Sequence, residues 1–538
     1  MQLSLAIALT LFAVYFVYKK ARRSVISTLP GPPPRSFLLG NLEDVMQNDA
    51  GLTDFDWQDN YGGVVHFKGV LGSDRLLVSD PKALQHILQT TAYKWRKWSE
   101  RRQISRLTSG YGLLWSDGET HKRHRKVMLP GFGTPEAKSY LPLFLSCASS
   151  VTTRWRDMLS TESSATVDVP FWISRATLDA IGLAAFDYQF GAMNNDDNEL
   201  SKAYQQLVPN ALALPSRTAL FLMDIASFVP DRTLDWLTDY GWGRRFEAMR
   251  HATEVSSNIS KRMLDEKKEH AAQGVSRKDI MSLLVKANAS ENPKAQLSEV
   301  EMISQMRNII LAGHETTSTT LGWTLMELAK NPKIQDRLRK EIRATERIVL
   351  ERGDADFTIK DLDGLPYLGA VVKEALRMHP VVLHVFREAN EDDILPLSTP
   401  LTTSTGKVMT ELPLPKGTRI MVSIPAYNRN KEIFGKDAHD FNPERWLEPG
   451  CVKKSVSIGV YANLASFSAG VRSCIGWRFA VTELHAFLVE LVSNFEFSPT
   501  PKFNQIRRKP CLAVLPFVEG ELEKGSQLPL EIKIASRE

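Results

Sequence analysis

The strongest constraint on how this chain can fold lies near its C-terminus, in residues 467–476, Phe-Ser-Ala-Gly-Val-Arg-Ser-Cys-Ile-Gly. A helical pattern follows directly, over residues 477–491. Glycines at positions 470 and 476 permit a turn with positive φ and a close approach of the backbone to a neighbouring group. The free N–H groups at the start of a helix lower the pKa of an adjacent thiol. The segment therefore predicts a loop that presents Cys474 as a metal-binding thiolate.

The other cysteines have no comparable surroundings. Cys147, Cys451 and Cys511 form no CxxC pair with each other or with Cys474. This spacing argues against a disulfide framework and against a zinc site built from cysteines, so we expect three ordinary thiols. The net charge of +5 over 538 residues likewise argues against general binding to nucleic acid.

The N-terminal segment has the composition of a membrane anchor. Residues 3–18 contain no charged side chain, and a basic cluster follows over residues 19–23. A helix of this length extends about 24 Å, and a thin bilayer or flanking residues can accommodate the shortfall. Positive residues after the span predict that the rest of the chain faces the cytosol. A cleaved signal peptide is the alternative, which the absence of a small-residue cleavage site disfavours. We therefore predict a transmembrane anchor over residues 1–20.

A basic and proline-rich hinge is predicted over residues 21–35, because successive prolines stiffen the chain. No linker, repeat or low-complexity tract interrupts residues 36–538. Helical periodicity dominates between about 135 and 350, whereas strand patterns are short, as in a hairpin expected around residues 72–74. The sequence therefore predicts a mainly α fold with small β-sheets, formed by one large domain.

Two helices are bounded by clear signals. A capping box begins a helix at Ser298, and the pattern ends before Pro332. A second helix is expected over residues 366–378, which begins on a proline and ends before His379-Pro380. Inside the first helix, the Ser/Thr run at residues 316–320 is a poor helix former. This run predicts a loosened turn, where small side chains leave space for another group.

Near the C-terminus, Phe467, Gly470, Arg472, Cys474 and Gly476 form the spacing FxxGxRxCxG, which is similar to the signature of the cytochrome P450 family. The resemblance implies the cytochrome P450 fold and a haem b cofactor, with Cys474 as the axial ligand of its iron. It implies that the other four residues contact the cofactor, with Arg472 directed at a haem carboxylate. The family's motifs occur in order along most of the chain.

Residues 312–317, Ala-Gly-His-Glu-Thr-Thr, resemble the oxygen-binding groove of the same family. The resemblance implies that Ala312 and Gly313 line the cofactor. It implies catalytic roles for Thr316, which would hydrogen-bond oxygen or water, and for Glu315, which would relay protons. His314 is expected to pack on the outer face of the helix rather than to serve as a ligand.

Glu374 and Arg377 form an ExxR pair on one face of the helix expected at residues 366–378. Such a pair is a weak signal alone, because many are ordinary surface ion pairs. The downstream segment Phe-Asn-Pro-Glu-Arg-Trp at residues 441–446 strengthens it, since the family joins both elements in a buried Glu–Arg–Arg network. The resemblance thus implies a structural role for Glu374, Arg377 and Arg445.

The basic segment at residues 121–126 is similar to the family's WxxxR helix, with His121 where tryptophan is usual. The resemblance implies that Arg125 binds a haem propionate and Arg387 the other, while the departure at His121 puts its cofactor contact in doubt. A solvated basic face is the alternative interpretation. Both can hold together, because an exposed basic patch would also steer an acidic reductase.

The resemblance implies a monooxygenase that inserts one oxygen atom of O2 into a lipophilic small molecule, with electrons from NADPH through a cytochrome P450 reductase. The phrase Gly-Leu-Leu-Trp at residues 112–115 is most similar to fungal microsomal members. This implies a single-pass protein of the endoplasmic reticulum membrane whose catalytic domain faces the cytosol. Hydroxylation of a terpenoid or another secondary metabolite is the expected reaction.

By family analogy, the substrate pocket is lined by residues 98–113, 208–222, 304–312, 381–386 and 513–517. The apolar candidates in these segments are Leu113, Phe221, Val382, Leu383, Val385 and Leu515. They favour a lipophilic substrate, although apolar residues also form any protein core.

Three other functions are compatible with the sequence. The same fold could act as an oxygen-independent isomerase or dehydratase, against which the Glu315–Thr316 pair argues. A non-catalytic haem-binding membrane protein would show haem spectra without turnover that depends on a reductase. A soluble or secreted enzyme is disfavoured by the anchor, and membrane fractionation would distinguish it.

Overall fold

The structure is a computed structural model that describes residues 25–195, 198–207, 215–273, 279–288, 296–453, 456–511 and 513–537. The anchor predicted over residues 1–20, and the first residues of the hinge, lie outside these ranges. Among the residues within them, no helix combines the length and the apolar composition that a membrane span requires.

Helices form the larger part of the regular structure. In chain order they are α1 (Leu42–Gln47), α2 (Leu52–Tyr61), α3 (Pro81–Gln85), α4 (Ser99–Ser109), α5 (Gly118–Met128), α6 (Thr134–Ser139), α7 (Leu141–Met158), α8 (Val169–Phe186), α9 (Glu199–Leu207), α10 (Arg217–Ile225), α11 (Asp231–Asp239), α12 (Arg244–Ala272), α13 (Ile280–Asn288), α14 (Glu299–Lys330), α15 (Pro332–Glu351), α16 (Ile359–Asp363), α17 (Pro366–Met378), α18 (Ile424–Asn428), α19 (Lys431–Phe434) and α20 (Trp477–Asn494). The mainly α fold predicted from the sequence is confirmed.

The strands are short and form small sheets. They are β1 (Val64–Lys68), β2 (Asp74–Val78), β3 (Trp95–Arg96), β4 (Ala165–Asp168), β5 (His384–Ala389), β6 (Asp393–Thr402), β7 (Val408–Leu414), β8 (Arg419–Ser423), β9 (Gly459–Tyr461), β10 (Leu464–Ala469), β11 (Phe495–Pro499), β12 (Ile506–Pro510), β13 (Val514–Val518) and β14 (Pro529–Ile534). The largest sheet has the order β1-β2-β8-β5-β3, in which β2 and β8 are parallel and the other pairs antiparallel. A three-stranded sheet, β11-β14-β4, and three two-stranded pairs complete the set.

Both helices with clear sequence signals occur at the expected positions. Ser298 caps α14 in a complete capping box with Glu301, and α17 spans Pro366–Met378. The predicted hairpin is also present, with Val64 paired to Val78 across β1 and β2. These three predictions are confirmed, because each rested on local signals that tertiary contacts did not override.

The loosened turn predicted in α14 is wrong, because the helix is continuous through residues 316–320. Most hydroxyls there donate to carbonyls of the preceding turn and leave the backbone ladder intact. Thr316 Oγ1 donates to the Ala312 carbonyl at 2.7 Å, and Thr320 Oγ1 donates to the Thr316 carbonyl at 2.8 Å.

The described part of the hinge packs against the body of the protein. Ile26 and Leu29 are buried in the main hydrophobic core, which continues to Ile532. The Pro30 carbonyl accepts a hydrogen bond from the His66 N–H at 2.9 Å. The globular body therefore begins before residue 36, because apolar side chains within the hinge are part of its core.

Helix α14 runs through the centre of the molecule, where it packs against α8, α12, α17 and α20. Gly313 lies where α14 crosses α8: a Cβ at this position would be 2.6 Å from Cγ1 of Ile181. The absence of a side chain thus permits the close approach of the two helices. This packing fixes residues 312–316 between neighbouring helices of the body.

Candidate functional site: a cysteine loop and a buried cationic cluster

The loop from β10 to α20 presents Cys474 in the manner that its glycines predict. Gly470 has φ +62°, and a Cβ there would lie 2.0 Å from the Leu88 carbonyl oxygen. The Cys474 N–H donates to the Phe467 carbonyl at 2.8 Å, which closes the loop. Cys474 itself is accessible, whereas Cys147 is buried and the remaining two cysteines are half-buried. The loop therefore holds one thiol open to a partner group.

The surroundings of the Cys474 thiol act on its pKa in opposite directions. Burial raises the pKa, while the N–H of Gly476 and the positive charge of Arg125 lower it. Both lowering contributions stabilise a thiolate once a metal ion replaces the proton. A Cβ at Gly476 would make only ordinary contact, 3.7 Å, with Phe132, and any residue except proline would supply the same N–H.

Arg125, on α5, holds the same loop through two hydrogen bonds to Ser473. Its Nη1 donates to the Ser473 carbonyl at 2.6 Å, and its Nη2 donates to Ser473 Oγ at 3.2 Å. Burial lowers the pKa of Arg125, and the neighbouring Cys474 opposes that effect. The residue predicted to bind a propionate thus lies directly beside the cysteine.

Arg472 is already paired within the protein. It forms an ion pair with Asp117, donates to the Ala92 carbonyl and lies over the ring of Tyr93 at 4.8 Å. Its Nε, however, is buried without a hydrogen-bond partner. A further acceptor would therefore be stabilised beside Arg472.

Arg387, on β5, is the least satisfied cation of the group. It is buried, and its Nη1 donates only to the neighbouring Phe386 carbonyl at 2.8 Å. Its Nε has no partner, and burial together with the charge of Arg472 lowers the pKa of Arg387 to about 9. An anion at this position would relieve both the unmet donor and the charge repulsion.

Lys97 is a member of the site that the sequence did not reveal. Its Nζ donates to the carbonyls of Leu114 and Ser116 at 2.6 and 2.9 Å. Burial, Arg387 and Arg472 lower the pKa of Lys97 to about 7. The flanking sequence Trp-Arg-Lys-Trp carries no motif, so only the folded chain shows that Lys97 belongs to this cluster.

His121 lies within the cluster as a neutral side chain. It is buried, and its Nδ1 is 3.0 Å from the hydroxyl of Tyr93. Burial and the positive charges of Lys97, Arg472 and Arg125 lower the pKa of His121 to about 3. A neutral histidine can therefore occupy this position in place of the usual tryptophan, because each of the two rings can donate an N–H to a neighbouring acceptor.

These groups together form the cationic cluster: Lys97, His121, Arg125, Arg387 and Arg472. Within the described residues, one carboxylate, that of Asp117, is paired with this cluster. The excess of positive charge and the two unmet Nε atoms of Arg387 and Arg472 require an anion. Haem b, which carries two propionates, fits this donor set, and Cys474 beside Arg125 is placed to bind its iron.

The middle of α14 provides a small, accessible surface inside the molecule. Ala312 is exposed although its neighbours Leu311 and His314 are buried. Thr316 is half-buried, and its hydroxyl hydrogen is engaged with the Ala312 carbonyl. The oxygen of Thr316 thus remains free to accept a hydrogen bond from oxygen species or water. Gly313 is half-buried, and the direction in which a side chain would point is occupied by Ile181 of α8.

Glu315 connects this surface to a polar cavity of about 170 Å³. Its Oε2 is 3.6 Å from His314 Nε2, and burial raises the pKa of the Glu315 carboxyl. The cavity is also lined by Asp168, Ser174 and Ser526. His314 packs against the ring of Tyr204 at 5.2 Å, on the outer face of the helix as expected. A carboxyl with a raised pKa beside a polar cavity is suited to proton transfer.

The structure brings Glu374, Arg377 and Arg445 together in one buried network. Glu374 accepts from Arg377 Nε and Nη2, both at 2.8 Å, and from Arg445 Nε at 3.0 Å. It also accepts from the Asn442 N–H and from Trp446 Nε1. Helix α17 is thereby joined to residues 442–446, which precede the cysteine loop.

Comparison with known proteins agrees with this geometry. Residues 30–522 match the family described as Cytochrome P450. Cytochrome P450 monooxygenase 205 of Postia placenta is 32% identical over 537 residues, which cover 98% of this chain and 96% of that protein. Cytochrome P450 monooxygenase claQ of Ampulloclitocybe clavipes is 32% identical, with coverage of 96% and 95%. Cytochrome P450 monooxygenase 91 of Postia placenta is 34% identical, with coverage of 89% of each chain. The chain therefore belongs to the cytochrome P450 family and is an oxidoreductase of its monooxygenase class.

Proposed function

We propose that this protein binds haem b through Cys474 and inserts one oxygen atom of O2 into a lipophilic small molecule. The observation that carries the proposal is an accessible thiol beside the cationic cluster, with which a single carboxylate of the described residues, that of Asp117, is paired. A metal-binding thiolate beside a site for two negative charges matches the two parts of haem that a protein binds, the central iron and the propionates at the edge. A terpenoid or another fungal secondary metabolite is the substrate class that we propose.

Each residue of the site has a distinct task in this reaction. Haem bound to Cys474 would supply the iron chemistry that activates O2. The cationic cluster holds the propionates and excludes water from that side. Thr316 accepts a hydrogen bond at its free oxygen, and Glu315 passes protons inward from the polar cavity. The raised pKa of Glu315 keeps a proton on this carboxyl at higher pH than in water.

Apolar residues near α14 support a lipophilic substrate. Val381, Leu383, Leu515 and Phe517 are buried around the ends of β5 and β13. A largely apolar wall with few polar groups binds small molecules by excluding water from them.

Use of isotopically labelled O2 would test the reaction class, because an isomerase or a dehydratase on the same fold would leave the label out of the product.

The reduced, carbon-monoxide-bound difference spectrum tests thiolate ligation directly. We expect a red-shifted Soret band in the wild type and in Cys451→Ala, and its loss in Cys474→Ala. A haem complex whose band is unchanged in Cys474→Ala would refute thiolate ligation by this residue. Folded wild-type protein that takes up no haem would refute the proposal itself.

We propose that a reductase delivers electrons from NADPH to the face that carries α5. Lys122 and Lys126 are exposed there, three residues before and one residue after Arg125. A basic face attracts an acidic partner, and this attraction weakens as ionic strength rises. Reduction by NADPH-cytochrome P450 reductase should slow in a Lys122→Gln/Lys126→Gln variant at low salt. Equal rates for both proteins would refute docking at this face.

Anchoring in the endoplasmic reticulum membrane, with the body in the cytosol, is proposed from the sequence of residues 1–20. Several large apolar side chains on the described surface support membrane contact, since they are exposed: Phe37, Leu38, Leu222, Trp236, Leu237 and Trp242. Aromatic residues of this kind favour the membrane interface. Deletion of residues 1–20 should release the protein from sedimented microsomes. If the full-length chain were found in the soluble fraction to the same extent as the truncated chain, the anchor would be refuted.

A further inference from the structure

A second group of arginines, Arg75, Arg101, Arg245 and Arg419, lies near the first turn of α4. Trp98 lies between two of them, with the Arg419 guanidinium 3.7 Å and the Arg75 guanidinium 4.9 Å from its ring. Arg75 pairs with Asp224 of α10, and Arg419 pairs with Glu100 of α4. This arrangement ties the main sheet to α4 and α10.

The donors of this group exceed its acceptors. Arg75 Nε and Nη1 and Arg419 Nε are buried without hydrogen-bond partners. Glu388 approaches Arg419 Nε only to 4.0 Å and is already paired with Arg96. The two carboxylates of Asp224 and Glu100 therefore leave guanidinium donors unmet, which is costly in a protein interior.

Two further arginines extend the group toward solvent, and neither has an oxygen partner among the described residues. Arg101 Nη2 is 3.7 Å from the Met46 sulfur, and Arg245 Nη1 is 3.8 Å from the Met223 sulfur. Thioether sulfur is a weak acceptor, so both guanidinium groups lack a strong one.

Arg106, another arginine of α4, differs from Arg101 in having carboxylate partners. Arg106 is paired with Asp235 and Asp239 of α11, whereas Arg101 faces an apolar surface. The Arg101 guanidinium lies 4.0 Å from the ring of Phe386. Burial and the charges of Arg419 and Arg245 lower the pKa of Arg101 to about 10. Burial is the largest cause of this lowering, and the charge of Glu100 opposes it. A carboxylate that bound Arg101 directly would therefore be stabilised.

Half-buried apolar side chains pack on one cluster of this region: Met46, Phe221, Ile225 and Phe386. Two of them, Met46 and Phe386, contact the Arg101 guanidinium. Helix α4 leads from this surface toward α14, since the Tyr111 N–H just beyond its end donates to Ser304 Oγ at 3.1 Å. An apolar wall with a cationic rim matches an amphiphile whose head group is an anion.

We propose that Arg101 and Arg245 receive the carboxylate of a lipophilic acid substrate, whose apolar part extends along α4 toward Cys474. This inference rests on the proposed monooxygenase function and specifies the substrate class of the same site. Arg75 and Arg419 act behind them by keeping the local potential positive. The carboxylate would gain charge-assisted hydrogen bonds from donors that the protein itself leaves without oxygen partners.

Spectral titration of the haem-loaded full-length protein with dodecanoate, dodecanol and methyl dodecanoate tests the inference. We expect dodecanoate to bind about tenfold more tightly than the two uncharged analogues, because only dodecanoate can pair with the arginines. Arg101→Gln and Arg245→Gln should each remove most of this preference and leave dodecanol binding unchanged. Arg244→Gln is the matched control, since Arg244 is the exposed neighbour of Arg245 on α12.

Equal affinities for the acid and the alcohol in the wild type would overturn the inference. It would also be overturned if Arg101→Gln lowered binding to vesicles of phosphatidylglycerol but not to dodecanoate, because the arginines would then bind a lipid head group. Imidazole serves as a control for the haem site. If imidazole gives no spectral change, the proposed function fails separately, and equilibrium dialysis of dodecanoate then decides the acid preference by the same criteria.

Discussion

Lys97 is the cation of the site whose charge depends most on its surroundings. In the protein alone, burial and two neighbouring arginines lower its pKa to about 7. Two haem propionates would raise that pKa again, because opposite charges favour the protonated amine. Binding of haem therefore favours protonation of Lys97, and protonation of Lys97 favours binding of haem.

Replacing Lys97 with methionine keeps the length of the side chain and removes its charge. We expect haem transfer from Lys97→Met to apomyoglobin to be about tenfold faster than from the wild type, since one charge-assisted contact is lost. Lys94→Met is the control, because Lys94 is half-exposed and pairs only with Glu391 at the surface. Equal transfer rates for all three proteins would contradict the assignment of Lys97.

The same residue makes haem retention depend on pH. The bound cofactor raises the pKa of Lys97 above 7, so its contribution is present at low pH and is lost as the pH rises through that raised value. Haem transfer from the wild type should therefore accelerate above pH 7, while the profile of Lys97→Met should be flatter in this window.

Gly470 is constrained both by its backbone and by its neighbour. A side chain would require φ +62° and would place a Cβ 2.0 Å from the Leu88 carbonyl oxygen. We expect Gly470→Ala to lower the free energy of unfolding by about 3 kcal/mol, as strain and a backbone shift combine. Gly369→Ala on α17 is the control, since no atom lies within 4 Å of its Cβ. Thermal denaturation with equal losses for both variants would contradict this account.

Single residues divide into those that the sequence could identify and those that it could not. The position of Cys474 was predictable, because a loop with fixed glycines is a local pattern. Lys97 and Asp117 were not, since their roles depend on contacts between β5, α5 and the cysteine loop. The contact of Gly313 with a cofactor stays a prediction, whereas its packing against Ile181, which lies far away in sequence, was not predictable.

At the scale of elements, the buried Glu374 network holds α17 against residues 442–446. The carboxylate accepts hydrogen bonds from two arginines, a backbone N–H and an indole. All three charged side chains are almost fully buried. A buried charge is tolerated only while its partners are present.

Glu374→Gln removes the negative charge, which leaves Arg377 without its carboxylate partner and Arg445 with that of Asp437 alone. We expect a loss of about 3 to 5 kcal/mol in the free energy of unfolding, because both guanidinium groups stay buried. Glu444→Gln is the control, since that carboxylate pairs with Arg337 at the surface and should cost below about 1 kcal/mol. Chemical denaturation that gave similar losses for the two variants would contradict the network's role.

Elements with strong local signals were predictable, and their internal details were not. The capping box at Ser298 and the proline at position 332 fixed the ends of α14. The Ser/Thr run within it suggested a loosened turn, but packing against α8 and α20 keeps the helix continuous. The pairing of Arg445 with Glu374 was expected only from the family resemblance, because no local pattern connects residues so far apart.

At the scale of the whole molecule, the body is organised around a charge that the protein does not itself balance. The cationic cluster gathers residues from β5, α5, the cysteine loop and the segment before α4. Like charges in the interior oppose folding unless an anion joins them. We therefore expect haem to contribute to the stability of the entire body.

Haem binding should raise the melting temperature in proportion to the logarithm of the free haem concentration. At a haem concentration about 1,000 times the dissociation constant, the stabilisation should be about 4 kcal/mol. Differential scanning calorimetry of the protein with and without haem would measure it. In Cys474→Ala this stabilisation should shrink, whereas in Cys147→Ala the dependence on haem should be kept. A melting temperature that ignores haem would contradict this expectation.

The lack of linkers predicts a single large domain, and the residues at which its core begins could not be predicted. The proline-rich hinge suggested a separate spacer, but Ile26 and Leu29 belong to the same core as Ile532. Which apolar residues of a proline-rich segment become buried depends on the surface that they meet, and that surface is formed by strands distant in sequence.

The cationic cluster has a consequence beyond catalysis. Chains synthesised when haem is scarce would carry an interior of mutually repelling charges and would open more often to proteases. The abundance of this enzyme in a cell would then follow the supply of haem, without any dedicated regulator, because each chain that fails to load its cofactor is preferentially degraded.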